Sequence, residues 1–128
     1  MFTIDQIKAA HAKVKSGADF PAYARELKEL GVLYYENYVA DGHTVYRGLQ
    51  GYTAEAGPKY AVLAIAGNSS AEELKRVLLI HQQGQTDYLT FCCQASGAGV
   101  EKWKVDLDGM TCTYYDRQGQ AMVVEAIS

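Results

Sequence analysis

Residues 99–127 read GVEKWKVDLDGMTCTYYDRQGQAMVVEAI, and this run decides the fold class. Two turn signals divide it into three segments. Asp108-Gly109 is the dipeptide of a two-residue type I′ hairpin, and Asp116-Arg117-Gln118-Gly119 is a second turn. With Asp108-Gly109 at the tip, Leu107 faces Met110, Val105 faces Cys112 and Trp103 faces Tyr114. Side chains alternate along a strand, so one face collects Trp103, Val105, Leu107, Met110, Cys112 and Tyr114. The other collects Lys102, Lys104, Asp106, Thr111, Thr113 and Tyr115. Turn chemistry and alternation agree here. The expectation is a three-stranded antiparallel meander ending in Ala121–Ile127, with the chain's single Trp on its core face.

A less tidy hairpin precedes it. Val32–Gly48 reads VLYYENYVADGHTVYRG, with Asp41-Gly42 as a second two-residue turn signal. That turn sets Ala40 opposite His43 and Glu36 opposite Arg47. Counting by twos puts Leu33, Tyr35, Asn37, Val39, Thr44 and Tyr46 on one face, taken as the core face. Tyr34, Glu36, Tyr38, His43, Val45 and Arg47 share the other. Gln50–Lys59 reads as an irregular loop of functional length, and Tyr60–Ile65 as a short third strand.

Four helices complete the pattern. The first spans 4–15, opened by a Thr3/Gln6 capping box and ended at Ser16-Gly17, with Ile4, Ile7, His11 and Val14 on one face. The second starts from Asp19 with Pro21 in its first turn and stops at Gly31; Phe20, Tyr23, Ala24, Leu27 and Leu30 make its stripe. The third follows a Ser70/Glu73 capping box, buries Leu74, Val77, Leu78 and His81, and closes at Gly84. The fourth opens at Thr86 and runs to Ser96, burying Phe91, Cys92 and Ala95 with Tyr88 or Leu89. The order is αα-ββ(β)-αα-βββ: a single α+β domain over 1–128, an antiparallel sheet with two helical hairpins on one face. Gly31-Val32 precedes D-G-H-T and Gly99-Val100 precedes D-G-M-T, with one residue of difference in spacing, which reads either as chance turn chemistry or as a weak internal duplication.

The totals suit this reading. The 128 residues are 48% hydrophobic and 21% charged, with a net charge of −3, ordinary for one globular domain. An acidic chain is a poor partner for nucleic acid, which needs a basic surface. No run approaches the length of a membrane span, and MFTIDQIKAAHAKVK lacks the basic leader and apolar block of a signal peptide. Three cysteines, two adjacent, make no disulfide framework and fit the cytoplasm. Ten tyrosines against three phenylalanines favour half-buried faces and binding surfaces.

Candidate chemistry is sparse. Cys92-Cys93 are adjacent on a helix, so their thiols diverge and cannot chelate as C-x-x-C pairs do. His11, His43 and His81 share no motif. Asp106 and Asp108 read as a strand residue and a turn residue. No G-x-G-x-x-G, P-loop or G-x-S-x-G is present, so no cofactor and no metal are expected. Tyr34, Glu36, Tyr38, His43 and Arg47 form the best constellation: either a decorated solvent face with Glu36 and Arg47 as a cross-strand pair, or an aromatic and charged face for a partner protein or a small polar ligand.

The runs GVEKWKVDLDGMTCTYYDRQGQ, FTIDQIKAAHAKVKSGADFPAYARELKELGV and YYENYVADGHTVYRG together resemble a small family of enterobacterial and prophage-borne proteins. Its members have no established function, and some are labelled phage envelope proteins. The resemblance spans nearly the whole chain. It implies a mobile-element origin and transfers no catalytic residue.

Three functions remain in view. The leading one is a small cytoplasmic interaction module without catalysis, using the Tyr34, Glu36, Tyr38, His43 and Arg47 face. The alternative is an enzyme or ligand-binding protein with a pocket between helices and meander, using His11 or His81, a carboxylate, and Cys92 or Cys93. The third is a symmetric homodimer joined through a strand edge or tyrosine face.

Overall fold

The computed structural model describes residues 2–15 and 17–127. Four helices and six strands follow in the order α1 (Ile4–His11), α2 (Phe20–Leu30), β1 (Tyr34–Tyr38), β2 (Thr44–Arg47), β3 (Thr53–Ala56), α3 (Ala71–Gln82), α4 (Tyr88–Gly97), β4 (Val100–Asp106), β5 (Thr111–Asp116) and β6 (Ala121–Ala126). The strands form one antiparallel sheet in the order β3-β2-β1-β4-β5-β6. Buried residues of both helix pairs join Tyr35, Tyr46, Val105, Cys112 and Tyr114 of the sheet in one core. The α+β architecture therefore stands as read from the sequence.

Local chemistry sets the helix ends. Thr3 and Gln6 satisfy each other's backbone amides, a device worth about 1 kcal/mol. α1 stops at His11, four residues early, because the amides of Lys13 and Val14 bond three residues back, to Ala10 and His11, closing the turn tightly. The expected stop at Ser16-Gly17 involves Ser16, outside the described residues. At α3 the box is half made: Ser70 accepts from Glu73 N, while the Glu73 carboxylate turns to Arg76. α4 begins at Tyr88, with Asp87 as cap, its carboxylate accepting from Thr90 N at 2.7 Å.

Two strand expectations need correction. Tyr60–Ile65 is not a strand. The Lys59 and Leu63 amides and the Tyr60 hydroxyl bond to Asp41, Ala40 and Val39 carbonyls in the first hairpin loop. Those partners lie at loop spacing, so no ladder forms. The third strand is Thr53–Ala56, inside the expected loop, paired to β2. Apart from Thr53 its residues have weak strand preference; pairing decides.

The first hairpin is also wider than Asp41-Gly42 implied. Tyr34 faces Arg47 and Glu36 faces Val45, so four residues, 39–42, make the loop. The slip is two residues, which preserves facing, and Tyr35, Asn37, Thr44 and Tyr46 are buried as expected. Leu33 is the exception. It lies before β1 and is 40% exposed.

The C-terminal register is the expected one, with Val105 opposite Cys112 and Trp103 opposite Tyr114. Its tip is not a type I′ turn, which needs two positive φ values. Only Met110 is left-handed, at φ 52°. Asp106 braces the loop by accepting from Asp108 N and Gly109 N.

The two halves share one plan. An offset of 68 residues (99 − 31, 110 − 42) carries left-handed Gly31 onto Gly99 and Gly42 onto Met110. The same offset carries the Tyr34/Arg47 and Tyr35/Tyr46 pairs onto Lys102/Tyr115 and Trp103/Tyr114. The halves meet at β1–β4, where Glu36 pairs with its own equivalent, Lys104, so an approximate two-fold axis passes there. The one-residue difference between the D-G motifs vanishes, because the loops align on their left-handed residue rather than on the dipeptide.

Candidate functional site

The sequence-selected group is gathered on the outer sheet face. Arg47 Nε donates to Glu36 Oε1 at 3.1 Å and Lys102 Nζ to Glu36 Oε2, leaving Glu36 only 8% exposed. Burial opposes ionisation of Glu36, but the hydrogen bonds from Lys102 and Arg47 prevail and hold its pKa below the usual value. Lys104 Nζ sits 4.3 Å from the Tyr34 ring centroid, and Lys102 Nζ lies 5.7 Å from both Tyr38 and Tyr115, within cation–π range. His43, at the loop, stacks on Tyr38 at 4.4 Å and places Nδ1 2.6 Å from Asp41 Oδ1. These side chains largely satisfy one another.

The inner face offers more room. A cleft of about 480 Å³ opens between α3, α4 and the β4–β5–β6 surface. Its walls are aromatic because the core stripe of α4 and the alternating face of the meander converge there. Trp103 is the hub: its ring lies 5.7 Å from Phe91, 5.9 Å from Tyr114 and 6.4 Å from Tyr88. Phe20, at the start of α2, closes one side.

Besides the tyrosine hydroxyls, His81, Gln82 and Glu125 bring polar groups to this cleft among the described residues. His81 stacks on Phe91 at 4.6 Å, with Nδ1 3.1 Å from the Thr86 carbonyl oxygen. The Thr86 hydroxyl is equally near Nδ1, at 3.1 Å; a proton on Nδ1 serves both oxygens, and the neutral ring with that proton carries its lone pair on Nε2. Glu125 sits opposite Cys112, hence on the inward face of edge strand β6. Tyr114 Oη donates to its Oε1 at 3.3 Å and Gln82 Nε2 to its Oε2 at 3.0 Å.

Burial sets the state of the neighbouring groups. It pushes the Cys112 thiol up to about 12 and raises the Tyr114 phenol well above its ordinary value, with Cys112 and Glu125 adding to the effect. Both are neutral at physiological pH. The cleft therefore presents one carboxylate, one imidazole and an amide among rings, an arrangement suited to holding a flat ligand by its faces and one polar group.

Other sequence candidates scatter. His11 is exposed rather than in the core, at the end of α1 with its ring edge-on to Tyr23, and does not line the cleft with His81. Cys92 is buried and Cys93 exposed, as divergent neighbours on a helix should be; neither lines the cleft, whose cysteine is Cys112. Tyr88 and Leu89 are both largely exposed, although the Tyr88 hydroxyl accepts from Asn37 Nδ2. Among the described residues no group of His, Cys, Asp and Glu could hold a metal.

Sequence reasoning missed Glu125. The signal was present, since a hairpin folded at Arg117-Gln118 sets Val123 and Glu125 opposite the inward residues Cys112 and Met110, on the core face, where a carboxylate is out of place.

No helix among the described residues is long and apolar enough to cross a membrane. No curated protein matches the chain. A family model described as a protein of unknown function, DUF1398, matches residues 8–126. That match spans nearly all the elements above, and the chain belongs to this family.

Proposed function

We propose that the protein binds a small, flat, largely apolar ligand in the cleft between α3, α4 and the meander. The observation that carries this reading is an aromatic-walled cleft of about 480 Å³ into which His81, Gln82 and Glu125 converge. Ligand sites usually measure roughly 300–1,000 Å³ and combine apolar walls with a few placed polar groups. The alternative of a His–carboxylate pocket is supported by His81 of α3 and Glu125 of β6, both of which line the cleft. His81 and Glu125 are each oriented by other partners, Thr86 for one and Tyr114 with Gln82 for the other, which suits fixed recognition.

The test uses Trp103, the chain's only tryptophan. A fragment panel of planar ring compounds is titrated while indole emission and amide NMR shifts are followed. Members that move Trp103, His81 and Glu125 together support the cleft. A panel that leaves all three unmoved, or binds elsewhere, overturns it.

A second reading keeps Tyr34, Glu36, Tyr38, His43 and Arg47 as a protein-docking face. It is supported by half-exposed tyrosine rings under Lys102 and Lys104, since Tyr and Arg are enriched at interfaces. A double Tyr34→Ala, Tyr38→Ala variant that keeps its fold and every cellular partner would overturn it. The three free cysteines support a cytoplasmic setting, and the likeness to prophage-borne proteins supports a mobile-element origin.

A further inference from the structure

We propose that the cleft selects organic cations, that is, a protonated or quaternary amine carried on a flat apolar body. This rests on the cleft being a ligand site and names the class of ligand.

The internal repeat supplies the first argument. At the 68-residue offset, Phe20, Tyr23, Tyr35 and Tyr46 of the first half match Tyr88, Phe91, Trp103 and Tyr114 of the second. The aromatic quartet is thus part of the shared fold. The polar groups are not. His81 and Gln82 correspond to Lys13, which is exposed, and Val14. On the edge strands, Thr44 pairs with Ala56, whereas its equivalent Cys112 pairs with Glu125. One half builds the same framework without a carboxylate, so the framework does not require one at that place.

The second argument is charge. Among the described residues no Lys or Arg lines the cleft and Glu125 takes part in no ion pair. Its two hydrogen bonds come from neutral donors, one to each oxygen. They fix its direction and leave its charge uncancelled. Apart from the imidazole of His81, the other groups named in the cleft wall are uncharged.

The third argument is the walls. Aromatic rings present negative faces, which attract a cation within about 6 Å, more strongly when water is excluded. Tyr114 stands beside Glu125, and the Trp103 ring lies 5.9 Å from that of Tyr114 in the same cleft wall, so rings and carboxylate act in the same direction on a bound ammonium group. A ligand with a carboxylate of its own meets repulsion from both.

The experiment titrates the intact protein at neutral pH with benzylamine, benzyltrimethylammonium, benzyl alcohol and benzoate, reading Trp103 emission and the NMR shifts of Glu125 and His81. The two cations are expected to bind about tenfold tighter than benzyl alcohol, with benzoate weakest. In Glu125→Gln, which keeps the side chain's shape and its acceptor for Tyr114, that preference is expected to fall to about twofold. Equal affinity for benzylamine and benzyl alcohol overturns the cation inference and leaves the cleft a ligand site. A cation preference undiminished in Glu125→Gln overturns the role of that carboxylate. Silence from all four probes overturns the cleft itself. The comparison of probes on the unaltered protein stands even if the variant fails to fold.

Discussion

Lys102 Nζ donates to Glu36 Oε2 across the β1–β4 pair, at 2.5 Å, next to the axis that relates the two halves. With Arg47 on the other oxygen, the acid is held ionised below its ordinary pKa of 4.5. A carboxyl group depressed on folding stabilises the native state above its unfolded pKa, and that contribution disappears as pH falls through the folded value. Urea titrations should therefore show stability falling below pH 4.5, with a shallower acid limb in Glu36→Gln. At neutral pH the same variant should lose about 2 kcal/mol, because two charge-assisted bonds go at once.

Equivalent glycines should respond unequally to the same substitution. Gly31 and Gly99 are both left-handed, at φ 105° and 90°. A Cβ on Gly31 would meet nothing closer than a Phe2 ring carbon at 3.9 Å, while one on Gly99 would lie 2.6 Å from the Ser69 Cα. Gly31→Ala should cost about 1–2 kcal/mol from backbone strain alone. Gly99→Ala should cost clearly more, since main chain must move. Thermal melts of the two variants side by side measure the difference.

The cysteines should separate by reactivity. Cys93 is exposed, while Cys92 and Cys112 are buried, and burial raises both buried thiols, Cys112 up to about 12. Only thiolate reacts. Iodoacetamide on the native protein near neutral pH should add one carbamidomethyl group, at Cys93, and three after unfolding in guanidinium, as intact mass will show.

The histidines separate in the same way. His11→Ala touches an exposed ring and should shift stability by less than about 0.5 kcal/mol. His81→Ala removes the stack on Phe91 and the bond to Thr86, at a cost of about 1–2 kcal/mol. Chemical denaturation resolves the two.

How far the chain could be read depended on which force decided each element. Caps, turn residues and alternation are local, so α2, α3, α4 and the Trp103/Tyr114 register were legible. The hairpin faces survived a mistaken loop length because the slip was even. β3 was not legible: Thr-Ala-Glu-Ala becomes a strand only by pairing with β2, and Tyr60–Ile65 looks like a strand until its amides find loop carbonyls. The cleft lay further out of reach. It joins α2, α3, α4 and four strands, and its carboxylate was visible only to someone counting β6 inward from β5. His11 misled because helical spacing predicted burial for a residue at the end of a helix that stops early.

The repeat also says where this chain can be cut. Each half closes its own three-stranded meander and its own pair of helices, and the strands of the two halves are joined only through β1 and β4. The connecting segment, residues 57–70, contributes no strand to the sheet. Two separately made fragments divided within it would each contain both partners of every internal ladder, and to rejoin the sheet they would need to rebuild one antiparallel pair centred on Glu36 and Lys104. The arrangement is that of a dimer whose subunits happen to share a peptide chain.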